Sequence, residues 1–319
     1  MNRYLIFFTI FASSVSYANS PFSMNEFTPQ KVSVALSSGL LGSGKSKEYV
    51  YAYEINRKVS QLDWEISNSP IVKADLTWQL FPWLSLNANG WTTVSNNSSL
   101  MDDYDWLDEN DATVLTDWSH HSNTTMTYAN QFDLNAHVTF WSGNNYKLGA
   151  LVGYQKNRLS WNAVGGIYQY SETDEDDNYI PGTALQNKGE FPKNQKGIGY
   201  KQVYTMPYLG LSGQYTFNKF ELNALFKYSP WVSAKDTDHH YRGDMVSYTT
   251  VKNTDYYGVV VDAGYYILPD TKLFTEFTWN KFKEEKGKTM NYLPDSNVAG
   301  GGSLSSEFYT VNLGLQYKF

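Results

Sequence analysis

Apolar and polar residues alternate strictly in several segments of this chain, and that alternation limits the folds it can adopt. The clearest case is residues 309–319, where Tyr, Val, Leu, Leu, Tyr and Phe are separated by single polar or small residues. The same pattern recurs along the chain, for example in residues 72–80, 132–140 and 220–228. A period of two places successive side chains on opposite faces of a β-strand. The sequence therefore predicts an all-β protein whose strands have one apolar and one polar face.

Two architectures use such strands, and they differ in which face points outward. A soluble sandwich buries its apolar face, whereas a membrane β-barrel turns it towards lipid. Aromatic residues make up 17% of the chain, with 26 Tyr and 10 Trp, while the mean hydropathy is -0.48. An apolar band with aromatic girdles around a polar lumen has this composition. No segment approaches the about 18 consecutive apolar residues of a membrane helix, so the composition favours a transmembrane barrel.

Tight turns alternate with longer polar segments along the chain. Four turns are predicted at residues 81–83, 143–145, 218–219 and 269–271, and five longer segments at residues 45–58, 95–123, 171–196, 235–251 and 283–303. Nine connections join ten antiparallel strands, and short turns opposite long loops are the outer-membrane arrangement. Several strand segments run about twice the ~10 residues that cross a bilayer. We therefore predict a ten-stranded antiparallel barrel that extends above the outer membrane, a single domain over residues 19–319 with five extracellular loops.

The N-terminus has the features of a secretory signal peptide, predicted to cover residues 1–18. Arg3 gives a positive start, residues 4–12 are apolar, and Ser16-Tyr17-Ala18 fits a cleavage site. The chain has no Cys, which excludes disulfides and thiolate metal sites. Its net charge of -7 argues against a nucleic-acid partner.

An acidic cluster lies within a long stretch that has no cationic side chain. No Lys or Arg occurs between Ala74 and Tyr146, and the middle of that stretch holds seven acids: Asp102, Asp103, Asp105, Asp108, Glu109, Asp111 and Asp117. Negative charge at this density is costly unless it is solvated or used. Solvation is the usual fate of such a run, and the spacing lacks the order of an EF-hand calcium loop. From the residues alone, a solvated loop is favoured over a site.

The five histidines differ in their surroundings. His240 follows Asp238 by two positions, and a neighbouring carboxylate can orient an imidazole and stabilise its cation. That spacing is common by chance, so it is weak evidence alone. His120 and His121 stand among Ser and Asn and are predicted to be solvated, while His137 is predicted to face the lumen.

Longer motifs resemble the omptin family of outer-membrane endopeptidases along nearly all of the chain after the signal peptide. They include Gly-Lys-Ser-Lys-Glu at residues 44–48 and Arg-Lys-Val-Ser-Gln-Leu-Asp-Trp at 57–64, with further matches at 90–93, 128–134 and 206–211. Omptins are ten-stranded barrels, in agreement with the strand count above. The resemblance implies a monomer in the outer membrane of a Gram-negative bacterium, with its active site facing the exterior and with no metal or cofactor.

The resemblance also implies a catalytic set. Asp103 and Asp105 match one pair of family residues, and Asp238 and His240 match the pair that faces it across the barrel mouth. Such a site would cleave peptide bonds with an activated water, as an aspartyl-type endopeptidase without a Ser or Cys nucleophile. His239 is not the family's catalytic histidine.

Substrate contacts follow from the same resemblance. Glu48 and Asp236 match acids that bind a basic residue before the cut, and Met101 is expected to contact substrate beside them. An anionic, partly desolvated pocket suits Arg or Lys. The expected substrates are cationic peptides or surface-accessible proteins.

Lipid contacts are less clear from the sequence. Family members bind lipopolysaccharide with basic residues on the outer wall and use it as an activator, but two such positions hold Val164 and Val203 here. Lys156 and Arg158 are nearby candidates to replace them, and dependence on the lipid is left open. Two other functions remain open at this point: a non-enzymatic adhesin that uses its aromatic and acidic loops, and a lipid hydrolase, which would need a Ser beside a His on the lipid face.

Overall fold

The computed structural model describes residues 31–52, 57–175, 178–294 and 296–319, and in these ranges the secondary structure consists of β-strands. The predicted signal peptide lies outside the described residues and stays a prediction. No helix in the described ranges is long and apolar enough to cross a bilayer. In chain order the strands are β1 (Lys31–Leu41), β2 (Gly44–Ala52), β3 (Arg57–Ile66), β4 (Ser69–Phe81), β5 (Leu84–Thr93), β6 (Asn97–Asp105), β7 (Asp117–Ser142), β8 (Tyr146–Val164), β9 (Ile167–Tyr170), β10 (Asn187–Glu190), β11 (Lys196–Phe217), β12 (Phe220–His240), β13 (Met245–Leu268), β14 (Thr271–Tyr292) and β15 (Asn297–Lys318).

The strands pair antiparallel into one closed ring. β1 and β2, β3 and β4, and β5 and β6 are the lower and upper halves of three barrel strands, while β7, β8 and β11 to β15 each run the length of the wall. The pairings β1–β15 and β7–β8 close the ring. The described residues therefore form ten barrel strands, and the predicted fold is confirmed. The four tight turns lie at residues 82–83, 143–145, 218–219 and 269–270, also as predicted.

An apolar belt surrounds the outer wall near the tight turns. Each barrel strand contributes an exposed side chain to it: Leu36, Leu76, Leu86, Leu134, Val152, Leu211, Leu222, Val261, Phe277 and Leu313. The interior at this level is polar, since Asp133 and Lys227 are buried and form an ion pair of 2.6 Å. Tyr208 and Gln155 complete that pair with hydrogen bonds of 2.9 and 3.1 Å. The apolar face points outward, as a membrane barrel requires and a soluble sandwich does not.

The interior changes character along the barrel axis. Towards the tight turns it holds a cavity of about 1170 Å³, lined in part by Pro82, Asn218 and Pro269 from those turns. Towards the other end a cluster of buried aromatic residues, including Trp64 and Tyr200, fills the space. These aromatic residues form the floor of the cleft that the upper parts of the strands enclose.

Four of the five segments predicted as outer loops are mostly strand, and that part of the prediction was wrong; the described part of residues 171–196 is mostly loop, as predicted. Among the described residues, the connections left at this end are 106–116, 241–244 and 293–294 with 296, together with residues 165–175 and 178–195, which carry the hairpin of β9 and β10. Above the apolar belt the outer wall meets water and the inner wall meets a polar cleft. Both faces can then be polar, so the strand continues without the alternation that reveals it.

Candidate active site

An irregularity in β12 turns the acids of its upper half inward. Below it, odd-numbered residues such as Lys227 face the interior, while above it the even-numbered Asp236 and Asp238 do. The pairing of β12 with β13 shifts register between Ser229 and Ser233, around Pro230, which lacks a backbone N–H donor. Bulges of this kind re-aim side chains next to active sites. The shift brings Asp236, Asp238 and His240 to one face.

His240 and Asp238 form a close pair on that face. The imidazole Nε2 lies 2.8 Å from Asp238 Oδ2, which leaves Nδ1 as the nitrogen available for chemistry. Burial by itself lowers the pKa of His240, but the charge of Asp238 and its hydrogen bond outweigh burial and raise the pKa to about 9. The second oxygen of this buried carboxylate, Oδ1, has no hydrogen-bond partner among the described residues.

Asp103 and Asp105 lie on the facing wall, two positions apart on the inner face of β6. Ser60, on the neighbouring β3, donates to Asp103 Oδ1 at 3.4 Å. Burial and then the charge of Asp105 raise the pKa of Asp103 well above its usual range, and His240 opposes that rise. Burial also raises the pKa of Asp105 to about 6. Because His240 acts on both carboxyls, the two walls share one electrostatic site.

Glu48 and Asp236 form a buried acidic pocket beside this site. They are 2% and 4% exposed. Thr249 N donates to Asp236 Oδ1 at 2.6 Å, and Tyr200 donates to Oδ2 at 3.4 Å. Burial followed by the charge of Asp236 raises the pKa of Glu48, and burial raises that of Asp236 to about 7. Glu48 Oε2 has no hydrogen-bond partner within the described ranges, so the pocket has capacity for a donor.

Aromatic rings support the pocket from below. Tyr200 stacks on Trp64 with ring centroids 4.8 Å apart and an angle of 6° between the planes. Met101 lies on the same face of β6 as Asp103 and is fully buried in the aromatic cluster. Its expected contact with substrate stays a prediction.

His121 is buried, contrary to the prediction that it is solvated, whereas His120 is partly exposed. His121 is 3% exposed, and its Nδ1 lies 2.6 Å from the carbonyl oxygen of Gly165. His120 Nδ1 lies 2.8 Å from Asp102 Oδ1 on the outer face. The error follows from treating this segment as a loop when β7 already begins at residue 117. His137 faces the lumen as predicted and contacts Ser212 at 2.7 Å.

The sequence did not indicate two further residues of the site, Ser60 and Tyr170. Ser60 reaches Asp103 and Asp105 only because β3 pairs with β6, which places it opposite Asp105. Tyr170 ends β9, which folds back and pairs with β7. Burial and the charges of Asp103 and Asp105 raise the pKa of its hydroxyl. Ser60 lies within the motif at residues 57–64, and that motif could have indicated a place in the site. No feature of the sequence indicated Tyr170.

The similarity to known proteins extends over almost the whole chain. The model of the omptin family matches residues 28–319. The chain belongs to the omptin family. This omptin is 44% identical over 316 residues to the plasminogen activator of Yersinia pestis, covering 98% of this chain and 96% of that protein. It is 41% identical over 300 residues to protease 7 of Escherichia coli strain K12, covering 92% of each.

Solved structures give the same result for the fold. This omptin superposes on the crystal structure of the outer-membrane protease OmpT of Escherichia coli with a TM-score of 0.87 and 39% identity, covering 94% of this chain and all of that one. Curated relatives carry names such as outer membrane protease OmpP of Escherichia coli, at 40% identity over 97% of each chain. This omptin is therefore an endopeptidase of the outer membrane, and the predicted location is confirmed.

The raised pKa of Asp236 predicts how the stability of the folded protein depends on pH. The folded protein holds this proton up to about pH 7, whereas an unfolded Asp releases it near pH 4. The folded state therefore binds more protons in this interval, and stability falls as pH rises through it. We expect Asp236→Asn to be more stable than the wild type at pH 8 by about 2–4 kcal/mol, and equal to it near pH 4.

Denaturant unfolding in detergent micelles at both pH values measures this difference. Asp63→Asn is the control, since Asp63 pairs on the outer wall with Lys45 and Lys47. A variant at Asp236 that is less stable than the wild type at pH 8 would contradict the expectation.

Proposed function

We propose that this omptin hydrolyses the peptide bond after a basic residue, using a water activated between β6 and β12. The observation that carries the proposal is the convergence of the Asp103–Asp105 pair and the Asp238–His240 pair on one cleft. No nucleophilic side chain is required. The water would stand between Asp103 and the Nδ1 atom of His240.

The reaction balances with these groups alone. Neutral His240 accepts a proton on Nδ1 as the water oxygen attacks the carbonyl carbon. A protonated carboxyl of the Asp103–Asp105 pair donates a hydrogen bond to the oxyanion that forms. The imidazolium then gives its proton to the leaving amine as the C–N bond breaks. Asp238 holds the imidazole in one tautomer and stabilises its cation, which is the role of the acid in a serine-protease triad.

The charge of His240 in the empty cleft needs to change before this step. A pKa of about 9 means that the imidazole is protonated at neutral pH. A basic side chain in the Glu48–Asp236 pocket brings a positive charge close to Asp238, Asp236 and Glu48. That charge opposes the stabilisation of the imidazolium by the carboxylates and lowers its pKa towards neutrality. Binding of the correct residue would then release the base.

The pocket explains a preference for Arg or Lys before the cut. Glu48 Oε2 and Asp238 Oδ1 are buried carboxylate oxygens without a hydrogen-bond partner among the described residues. Buried acceptors of this kind are costly unless a donor completes them. A guanidinium offers several donors in a planar arrangement that fits carboxylates.

We also propose that lipopolysaccharide phosphates bind the outer wall at Lys156 and Arg158. Arg158 is exposed on β8, and its partner on β11 is Val203. Arg158 therefore keeps a positive charge on the outer wall of the barrel, one strand away from Val203.

The purified enzyme should gain activity when lipopolysaccharide is added, and Arg158→Ala should reduce that gain. Equal activity with and without the lipid would refute this role.

The adhesin alternative has less support than the protease. A binding surface needs exposed contact groups, and acids on exposed loops would serve. Here Glu48, Asp236 and Asp238 are buried together at a cost in stability. Such an arrangement is expected at a catalytic cleft and has no purpose on an adhesive surface.

The catalytic assignment predicts a loss of activity without a loss of fold. We expect Asp238→Asn or His240→Ala to lower kcat/KM for an internally quenched peptide with one Arg by about 10³-fold or more. His239→Ala is the matched control, because His239 lies between the two and stacks on Tyr241 instead. Heat-modifiable migration in gels checks that each barrel assembles. Wild-type turnover in either catalytic variant would defeat the assignment.

The pocket assignment predicts a loss of selectivity. We expect Glu48→Gln combined with Asp236→Asn to remove the preference for Arg and Lys before the cut, because neither side chain can then become a carboxylate that pairs with the bound cation. Cleavage of a peptide library analysed by mass spectrometry measures this preference. Asp63→Asn again serves as the control for a change of one charge. A preference retained in the double variant would place the pocket elsewhere.

A further inference from the structure

A cationic side chain, Arg242, is fixed at the rim of the cleft two residues after His240. It lies in the turn 241–244 between β12 and β13. Its guanidinium carbon is 3.9 Å from the ring centroid of Phe191. The side chain is exposed, and within the described ranges it makes no hydrogen bond or ion pair. The face of the guanidinium is thus occupied while its N–H groups are free.

Phe191 is itself held in place. Its backbone N–H donates to the carbonyl oxygen of Gly166 at 2.8 Å. Its ring stacks on His121 with centroids 5.3 Å apart and planes 8° apart. Burial lowers the pKa of His121, so this ring is neutral at pH 7. Arg242, Phe191 and His121 form three layers, which we name the Arg242 stack, and its base is anchored to β7.

The chain turns tightly at the base of this stack. Gly166 has a φ of +117°, and a Cβ there would come within 2.7 Å of His121 Nδ1. Glycine is required for this close approach. The backbone geometry therefore fixes where Phe191 stands, and through it where Arg242 stands.

In the order of strands around the ring, Asp103 and Asp105 lie between Glu48 and the base of the Arg242 stack. Around the ring the order is β2, β3, β6, β7, with β9 paired to β7. Glu48 is on β2, Asp103 and Asp105 are on β6, and Phe191 follows the hairpin attached to β7. A substrate with its basic residue at Glu48 and its cleaved bond at Asp103 continues towards Arg242. The stack thus faces the part of the substrate after the cut.

We propose that Arg242 is a specificity residue that binds a carboxylate in the substrate segment after the cleaved bond. This carboxylate is an Asp or Glu side chain, or the C-terminal carboxylate of a short peptide. The proposal rests on the function proposed above, because that function sets the direction in which the substrate runs. A guanidinium that is stacked on a ring keeps its edge for bidentate pairing with a carboxylate.

Arg242 carries a positive charge at the rim of a cleft that is otherwise mainly acidic. The catalytic groups and the pocket are mainly acidic and repel a substrate carboxylate. Lys196 adds positive charge at the same end of the cleft, where it bonds the hydroxyl of Tyr241 at 2.7 Å. A substrate with a basic residue before the cut and an acidic residue after it would match the charges of both ends.

The test uses peptides with one internal Arg that differ only after the cut. In the first pair, one peptide carries Glu and the other Gln at the same position, two to four residues after the Arg. In the second pair both peptides are short, and one ends in a free C-terminal carboxylate while the other ends in a carboxamide. We expect the wild type to prefer each free carboxylate by about fivefold in kcat/KM at low ionic strength, the upper range for an exposed ion pair. Arg242→Ala should remove the preference while it cleaves the Gln peptide as the wild type does.

Two further variants separate binding from structure. Arg242→Glu should reverse the preference in favour of a peptide with Lys at that position, which a structural role would not do. Phe191→Leu should weaken the preference because the guanidinium loses its support. Lys288→Ala, which removes an exposed cation from the outer wall of β14, is the control and should leave the preference unchanged.

The outcomes distinguish this inference from the proposed function. Equal cleavage of both members of each pair by the wild type, always after Arg, would overturn the role of Arg242 and leave the proposed function intact. The same holds if Arg242→Ala slows all peptides equally. Cleavage at bonds other than the one after Arg would instead refute the proposed function, and the role of Arg242 with it. A preference only in the amidation pair would identify the C-terminal carboxylate as the group that is bound.

Discussion

Closure of the backbone hydrogen-bond ladder is the constraint on which the rest of the structure depends. Lipid offers no partner to an unpaired N–H or C=O group, so a sheet that spans it must pair every strand on both sides. Here β15 meets β1 and β7 meets β8, and the same ladder continues above the apolar belt as the walls of the cleft. The proposed catalytic groups therefore stand on paired strands, which hold side chains more firmly than loops do.

That firmness matters because the cleft contains groups that repel one another. The pKa values of Glu48, Asp103 and Asp236 are all raised, in each case first by burial. In a more flexible scaffold these carboxyls would move apart or into water, which would reduce the cost of burying them and the repulsion between them. The ladder prevents that relaxation, so the unfavourable interaction persists in the empty enzyme. Under the proposed function a cationic substrate relieves it, which links binding energy to the charge state of the Asp238–His240 pair.

The fold was largely predictable, and the reason is physical. Lipid and lumen impose opposite polarities on the two faces of residues such as Leu134 and Asp133, and the alternation records that difference. Where water covers the wall, the difference ends, and the upper parts of β6, β7 and β12 were mistaken for loops. The same error led to the wrong prediction for His121.

The site was predictable only in part. The Asp238–His240 spacing alone did not separate a catalytic pair from chance, and the resemblance to omptins supplied the assignment. Ser60 could not be placed beside Asp105 without knowledge of which strands pair. Tyr170 and Phe191 reach the cleft because residues 165–195 fold back on β7, a path that local sequence does not encode.

The register shift in β12 has a consequence for how this protein can change over time. The lower half of the strand turns Phe220, Leu222 and Phe226 outward, and the upper half turns Asp236 and Asp238 into the cleft, in opposite phase. The irregularity between Ser229 and Ser233 acts as a joint that uncouples the two halves. Mutations can then alter peptide selectivity without disturbing the anchor, and the anchor can adapt to a different bilayer while the chemistry is conserved.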